Sequence, residues 1–259
     1  MAKRTLLDLI KSAVEELPIE QKFLTALKSV VMAENKPRPR SPHYKPSSLN
    51  CSRLMYFDLT QATMDTTVED YSGTRICETG SMSHESIQHY CTLLKNYDSG
   101  FEYYDVEQYI KEKGLDYLQI KSKTAYETKL FDTRYNISFL CDGILKYTNS
   151  LGKIYWFILE IKTESERTGL DRNSANPKHR RQSVSYSLSL GINDIIWLYE
   201  ERNFCVPKTF RTTVTDEERQ ELVHLFEYVD ECVRQCTPPE KQPNSECTYC
   251  CYKKVCRSI

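Results

Sequence analysis

Hydrophobic and polar positions are most informative between Phe139 and Lys162. Ile154 to Ile161 is an almost unbroken run of β-branched and aromatic residues, the pattern of a strand buried on both faces. The run nevertheless closes on Glu160-Ile161-Lys162, and a period of two puts both ionisable groups on the face of Ile154, Trp156 and Ile158. Asn149 to Lys153, with Gly152, is a turn, so Phe139 to Tyr147 and Ile154 to Lys162 are expected to pair as a hairpin. With the turn centred near Leu151, Asp142 falls opposite Glu160. Cross-strand neighbours lie about 5 Å apart, and two carboxylates there repel unless something positive sits between them. A divalent cation supplies that charge, with Lys162 projecting beside it. The plainer alternative is a surface hairpin carrying an exposed Glu160–Lys162 salt bridge, which is worth little.

The pattern predicts helices over Thr5 to Leu17 and Ile19 to Asn35, separated by Pro18. Residues 36–46 hold four prolines, which exclude helix and strand. They read as a solvated linker, or as phosphate and base contacts through Arg38, Arg40, Lys45 and Tyr44. A helix starts near Ser47 to Asn50, with Cys51 at its beginning, and a longer one runs from Thr74 to Asn96, interrupted by Gly80. Alternating segments at Tyr103 to Tyr109 and Tyr117 to Ile120 are expected to be strands leading into the hairpin. Thr163 to Pro177 is polar and reads as a mobile loop over the hairpin's charged end. A helix over Arg181 to Gly191 and an apolar strand over Asn193 to Glu200 follow. The order hairpin, helix, strand implies a mixed α/β sheet with a crossover helix. Thr215-Asp216-Glu217-Glu218 is a capping box before a stripe of Leu222, Leu225, Phe226, Val229 and Val233. Residues 237–246, with three prolines, link to the tail.

Charge and cysteine content narrow the setting. The chain has a net charge of −1, so any nucleic-acid contact depends on local basic patches. Asp8, Lys11 and Glu15 interrupt the first apolar segment, and no stretch is long and apolar enough to span a membrane, so an intracellular, cytoplasmic protein without a membrane partner is expected. The 11 cysteines, an odd number in such a chain, point to metal ligands and unpaired thiols over a disulfide framework. Cys247, Cys250 and Cys256 form C-x-x-C-x(5)-C, a set one ligand short. Zinc on four thiolates and an iron-sulfur cluster both satisfy that spacing.

Asp142-Gly143 in one strand and Glu160-x-Lys162 in the next resemble the core of the PD-(D/E)xK nuclease superfamily, with Cys141 where the signature has proline. Gly80-x-x-x-His84 upstream and Gln182-x-x-x-Tyr186 downstream resemble the flanking motifs of its RecB-like branch. One cysteine far upstream, Cys51, with three behind the motifs is the arrangement of the iron-sulfur members, such as the AddB nuclease domain and the CRISPR-associated RecB-like exonucleases.

The resemblance covers 47–256 and implies a restriction-endonuclease-like α/β core, a mixed sheet flanked by helices. On this reading 1–46 are a helical cap and proline-rich linker, and 47–259 a nuclease domain whose iron-sulfur lobe joins Cys51 to 237–259. It implies that Asp142, Glu160 and Lys162 are catalytic and that His84, Asp142, Glu160 and the Ile161 carbonyl hold Mg²⁺ or Mn²⁺. It also implies a [4Fe-4S] cluster on Cys51, Cys247, Cys250 and Cys256. Gln182 and Tyr186, with the basic Lys178, Arg180 and Arg181, are implied to face DNA, Tyr186 by stacking on a base. The activity implied is that of a DNA exonuclease acting on single strands or DNA ends in recombination, repair, replication or CRISPR adaptation, with protein partners in those processes and a cellular or phage source. No Walker A motif is present, so a free-standing enzyme fits better than part of a helicase-nuclease. A non-catalytic DNA-binding or assembly protein on the same fold, and a zinc-stabilised nuclease, are the competing readings.

Overall fold

The computed structural model of the 259-residue chain describes residues 18–35, 40–65, 71–242, 245–248 and 250–259. Its elements are, in order, α1 (Ile19–Glu34), α2 (Ser52–Leu59), α3 (Tyr71–Thr92), α4 (Leu94–Tyr97), β1 (Phe101–Tyr104), α5 (Val106–Lys113), β2 (Leu118–Lys123), β3 (Thr128–Asp132), β4 (Ile137–Cys141) and β5 (Gly143–Thr148). There follow β6 (Ile154–Glu164), α6 (Glu166–Leu170), α7 (Arg180–Leu190), β7 (Asp194–Glu201), β8 (Pro207–Thr213), α8 (Asp216–Arg234) and α9 (Lys253–Ser258), with 3₁₀ turns at Pro46–Ser48, Pro177–His179 and Ser245–Thr248.

Strand β6 is the middle of a five-stranded mixed sheet in the order β1-β5-β6-β7-β8. It runs antiparallel to β5 and parallel to β7, and α7 makes the crossover that a parallel pair requires. Alternation along β6 feeds two separate cores. Ile158 on one face joins Val184, Tyr186 and Leu190 of α7 and Leu222, Phe226 and Val229 of α8. Phe157, Leu159 and Ile161 on the other pack with Ile87 and Cys91 of α3 and Leu94 of α4. The Thr215–Glu218 capping box is formed in both directions and starts α8 as its sequence predicts. Gly191, at φ +68°, ends α7 in the left-handed conformation that glycine adopts without a Cβ penalty.

Four expectations need correction. The hairpin partner of β6 begins at Gly143; Ile137–Cys141 belongs to a second sheet, β2-β3-β4. Strand β1 stops at Tyr104, where Asp105 caps the N–H of Gln108 and Val106, Tyr109 and Ile110 turn a helical face inward. In the proline-rich segment, Tyr44 is only 1% exposed and stacks on Phe226, its hydroxyl donating to Asp230 Oδ1 at 2.8 Å. Its backbone bridges to Asn136 and Ser138, so the ring is a core contact and not a base platform. Thr163 to Pro177 is partly ordered as the end of β6 and as α6, pinned by the Arg172–Glu164 ion pair. The Thr5 to Leu17 helix and Arg38 lie outside the described residues.

Two compact units divide the chain. The smaller comprises 1–38 and 68–78; within it the Asn35 amide donates to Thr74 Oγ1 at 3.1 Å. The larger comprises 39–67 and 79–259 and contains both sheets. Among the described residues no helix is long and apolar enough to cross a membrane.

Candidate active site

Asp142 occupies the single residue between β4 and β5, where the chain leaves one sheet for the other. Gly143 pairs with Leu159 and Cys141 pairs with Thr128, so one further step of each register sets Asp142 beside Glu160 on one side and Glu127 on the other. The backbone there is clamped: the Asp142 carbonyl accepts from Gln88 Nε2 at 2.9 Å and from the Tyr103 hydroxyl at 2.5 Å. Gly143 is what lets Tyr103 in. A Cβ at that position would lie 2.3 Å from the Tyr103 ring, closer than real Cβ contacts come. The Asp-Gly pair therefore has a steric origin as well as a chemical one.

Glu160 is 2% exposed, which removes the surface-hairpin reading. Its Oε1 accepts from Lys162 Nζ at 2.5 Å and from Gln182 Nε2 at 2.6 Å. Its Oε2 is buried and has no hydrogen-bond partner. Asp142, 7% exposed, is held by the Ile161 N–H, 2.8 Å from Oδ2. Burial raises the pKa of Glu160 and the neighbouring Asp142 raises it further, against the pull of Lys162. Burial raises Asp142 as well, opposed by the Ile161 N–H and by Lys162.

Gly80 gives α3 a close approach to β6, since a Cβ there would sit 3.3 Å from Thr163 Oγ1. One turn later His84 places Nδ1 3.9 Å from Asp142 Oδ2. Burial and then Lys162 lower the His84 pKa, which favours the neutral imidazole that a metal requires. Donor atoms of His84, Glu127 and Asp142 all lie within 4.8 Å of one another. Glu127 belongs to none of the sequence motifs. It precedes β3, and only the register of a sheet not anticipated from sequence brings it here.

Gln182 and Tyr186 do share one face of α7, and Gln182 Nε2 lies 2.7 Å from the Tyr186 hydroxyl. Tyr186 is 4% exposed and packs on Phe139 at 5.2 Å, so its ring faces the core and no base stacks on it. Its hydroxyl helps to orient the Gln182 amide that grips Glu160. Burial, then Glu160 and Asp142, push its pKa well above the phenol range. Arg180 binds Glu218 Oε1 at 2.6 Å and Arg181 binds the Leu49 carbonyl at 2.8 Å, while Lys178 is exposed. His179 stacks on Trp197 and Tyr199, the neighbours of Glu160 and Lys162 on β7.

The tail returns to the start of the larger unit. Tyr252 is fully buried, with its hydroxyl donating to Asp58 Oδ1 at 2.8 Å. Arg53 donates to the Pro239 carbonyl at 2.6 Å and the Cys256 carbonyl at 3.0 Å, and lies 3.5 Å from Cys256 Sγ. Burial raises the Cys250 pKa, and Cys51, Cys256 and Cys247 raise it further. Among the described residues, however, the donor group close enough to hold a metal is His84, Glu127 and Asp142, and the four cysteines do not form one. Cys141 is 1% exposed in the core.

Gly143→Ala is expected to cost about 1–3 kcal/mol in urea unfolding, the usual penalty for overpacking, and to cost less in a Tyr103→Ala background. Equal costs in both backgrounds would show that the Tyr103 ring is not the constraint. Stability should also respond to pH through His179. Burial first, then Lys162, Arg172 and Lys178, lower its pKa from 6.5 to about 4. The unfolded chain thus binds this proton more readily, and stability is full above the unfolded value and declines as pH falls toward about 4. Thermal melts of His179→Phe across that window should be flatter than those of the native chain; parallel curves would remove His179 from the account.

No protein-family model matches the chain, and no curated protein matches it. Among solved structures it is similar to SSO0001, at 16% identity over 93% of this chain and 98% of that chain, with a TM-score of 0.47. It is similar also to LHK-Exo in complex with dAMP, at 11% identity over 85% and 96% of the two chains, TM-score 0.45. A further similarity is to the alkaline exonuclease LHK-Exo from Laribacter hongkongensis, again at 11% identity over 85% and 96%, TM-score 0.44. At this level of similarity the fold is defined by the chain's own strand order: an α/β fold with a mixed five-stranded sheet flanked by helices.

Proposed function

We propose that the protein is a metal-dependent deoxyribonuclease, an exonuclease of the RecB-like PD-(D/E)xK type, hydrolysing phosphodiester bonds in single strands or at DNA ends. The observation that carries this reading is the buried, unpartnered Oε2 of Glu160 beside Asp142. Asp142 and Glu127 converge with His84, a histidine biased toward neutrality, and Glu160 lies beside Asp142 with Lys162 on its other oxygen. A divalent cation fits a donor set of that kind. Asp142, Glu160 and the Ile161 carbonyl, with His84 and Glu127, are the ligands we assign, and an imidazole among carboxylates suits Mn²⁺ as well as Mg²⁺.

When bound, such an ion lowers the pKa of its water and polarises the scissile phosphate. The chain's own residues do the rest. Gln182 and Lys162 fix Glu160 through Oε1 and leave Oε2 available. The Ile161 N–H fixes Asp142, and the Gln88–Tyr103 clamp fixes its backbone. Lys162 stands where it can orient the attacking water and stabilise charge developing on the phosphate oxygens. Lys178, exposed just before α7, with Arg181 beside it, supplies the basic side that meets the phosphate backbone, whereas the Arg180 guanidinium is already engaged by Glu218. End-labelled single- and double-stranded DNA should be degraded with Mg²⁺ or Mn²⁺. Glu160→Gln or Lys162→Ala should abolish cleavage while circular dichroism and DNA binding persist; wild-type rates from either variant would refute the assignment.

The tail supports a second element of the proposal, a structural [4Fe-4S] cluster on Cys51, Cys247, Cys250 and Cys256. What supports it is the C-x-x-C-x(5)-C spacing of Cys247, Cys250 and Cys256 together with the contacts that hold the tail against the Cys51 end of the chain, Tyr252 to Asp58 and Arg53 to the Cys256 carbonyl, and thiolate sulfur suits iron. Anaerobically purified protein should be brown with about four irons per chain. Cys51→Ala should bleach it and lower the melting temperature, whereas Cys251→Ala should do neither. Colourless protein with one zinc would replace the cluster by zinc and leave the nuclease standing.

A further inference from the structure

The two elements that supply His84 and Glu127 also supply an aromatic step that the chemistry above does not use. Five residues beyond His84 on α3, His89 is exposed, and Tyr90 beside it is 66% exposed. Tyr126 immediately precedes Glu127 in the turn between β2 and β3. The Tyr126 hydroxyl lies 3.2 Å from His89 Nδ1, and the two rings meet edge to face at 6.1 Å. His89 and Tyr90 rings are 5.7 Å apart. The step is rigidly tied to the site, because the Tyr126 carbonyl lies 2.9 Å from the same Tyr103 hydroxyl that holds the Asp142 carbonyl. It is therefore contiguous with the ligand group along the chain, Tyr126 being the residue before Glu127 and His89 lying about 7.5 Å of helical rise beyond His84.

Resting on the nuclease reading, we propose that His89, Tyr90 and Tyr126 form a base-stacking subsite that receives an unpaired nucleobase flanking the scissile phosphate. Aromatic faces beside a phosphate-handling centre bind bases without regard to sequence, since every base has a π-face. In a duplex those faces are already covered by neighbouring base pairs. A single strand or a frayed end offers them, and the subsite selects that substrate class. Tyr126 is half-buried and hydrogen-bonded to His89, so its ring is held in place before a base arrives, which limits the ordering cost of binding.

The test uses the full chain, EDTA to prevent cleavage, and oligodeoxynucleotides carrying 2-aminopurine at an unpaired end. Wild-type protein should quench the probe's emission on binding. Tyr126→Leu should lose most of the quench and weaken single-strand binding by about five- to 150-fold, the worth of one stacked base. Tyr126→Phe, which keeps the ring and loses only the His89 contact, should retain both, and melting curves check that each variant is folded. Equal quench and affinity in wild type and a folded Tyr126→Leu overturn the subsite while cleavage in Mg²⁺ leaves the nuclease reading intact. Should Tyr126→Leu not fold, Tyr90→Ala and His89→Leu carry the same measurement, and unchanged quench in both overturns it. Wild-type binding to blunt duplex as tight as to single strand, without quench, overturns it as well. Failure of wild type to bind or cut any DNA overturns both.

Discussion

Two buried carboxylates, Asp142 and Glu160, are set side by side by strand register, and the surroundings answer that repulsion. Removing a carboxylate from water is costly unless it is paired and hydrogen-bonded, and placing a second one beside it adds to the cost. Lys162, Gln182 and the Ile161 N–H offset part of this, yet Glu160 Oε2 remains without a partner. Replacing buried ionic groups by apolar residues of similar volume often leaves a protein as stable or makes it more so, so these carboxylates are not what holds the sheet together. On the nuclease reading proposed above, that uncompensated charge is what a divalent cation would balance.

The frame is rigid because Asp142 stands at a junction and not within either sheet. Two registers converge on it, and the clamp on its carbonyl comes from two further elements, α3 through Gln88 and β1 through Tyr103. Side chains from α3, the β2–β3 turn, β6 and α7 are thereby brought to one spot. Glycine appears where backbone or ring must come close: Gly143 under Tyr103, and Gly80 against Thr163.

What the sequence made legible was local and periodic. The period of two along 154–162 placed Glu160 and Lys162 on one face, the turn at Gly152 put Asp142 in register with Glu160, and the helical period joined Gln182 to Tyr186. What it hid was decided by distant partners. Tyr44 sits among prolines yet is buried by α8, nearly two hundred residues away. Glu127 enters the site only because β4 pairs with β3, a pairing that a continuous hairpin from Phe139 to Tyr147 concealed. Tyr103 to Tyr109 alternates like a strand, but the Asp105 cap and the buried trio Val106, Tyr109 and Ile110 favour a helix after Tyr104. In each case side-chain chemistry was readable and tertiary context was not.

The same division applies at the tail. The C-x-x-C spacing is legible locally, but the contacts that return the tail to the start of the larger unit are not: Tyr252 to Asp58, Arg53 to the carbonyls of Pro239 and Cys256, and the Lys254 N–H to the Asp65 carboxylate. Loop closure over so long a span grows only slowly in entropic cost with length, so a few buried contacts suffice to hold the ends together. Tyr252, at the centre of those contacts and packed on Phe57, is the residue through which the tail is coupled to the core and so to α8, which backs the sheet carrying Glu160.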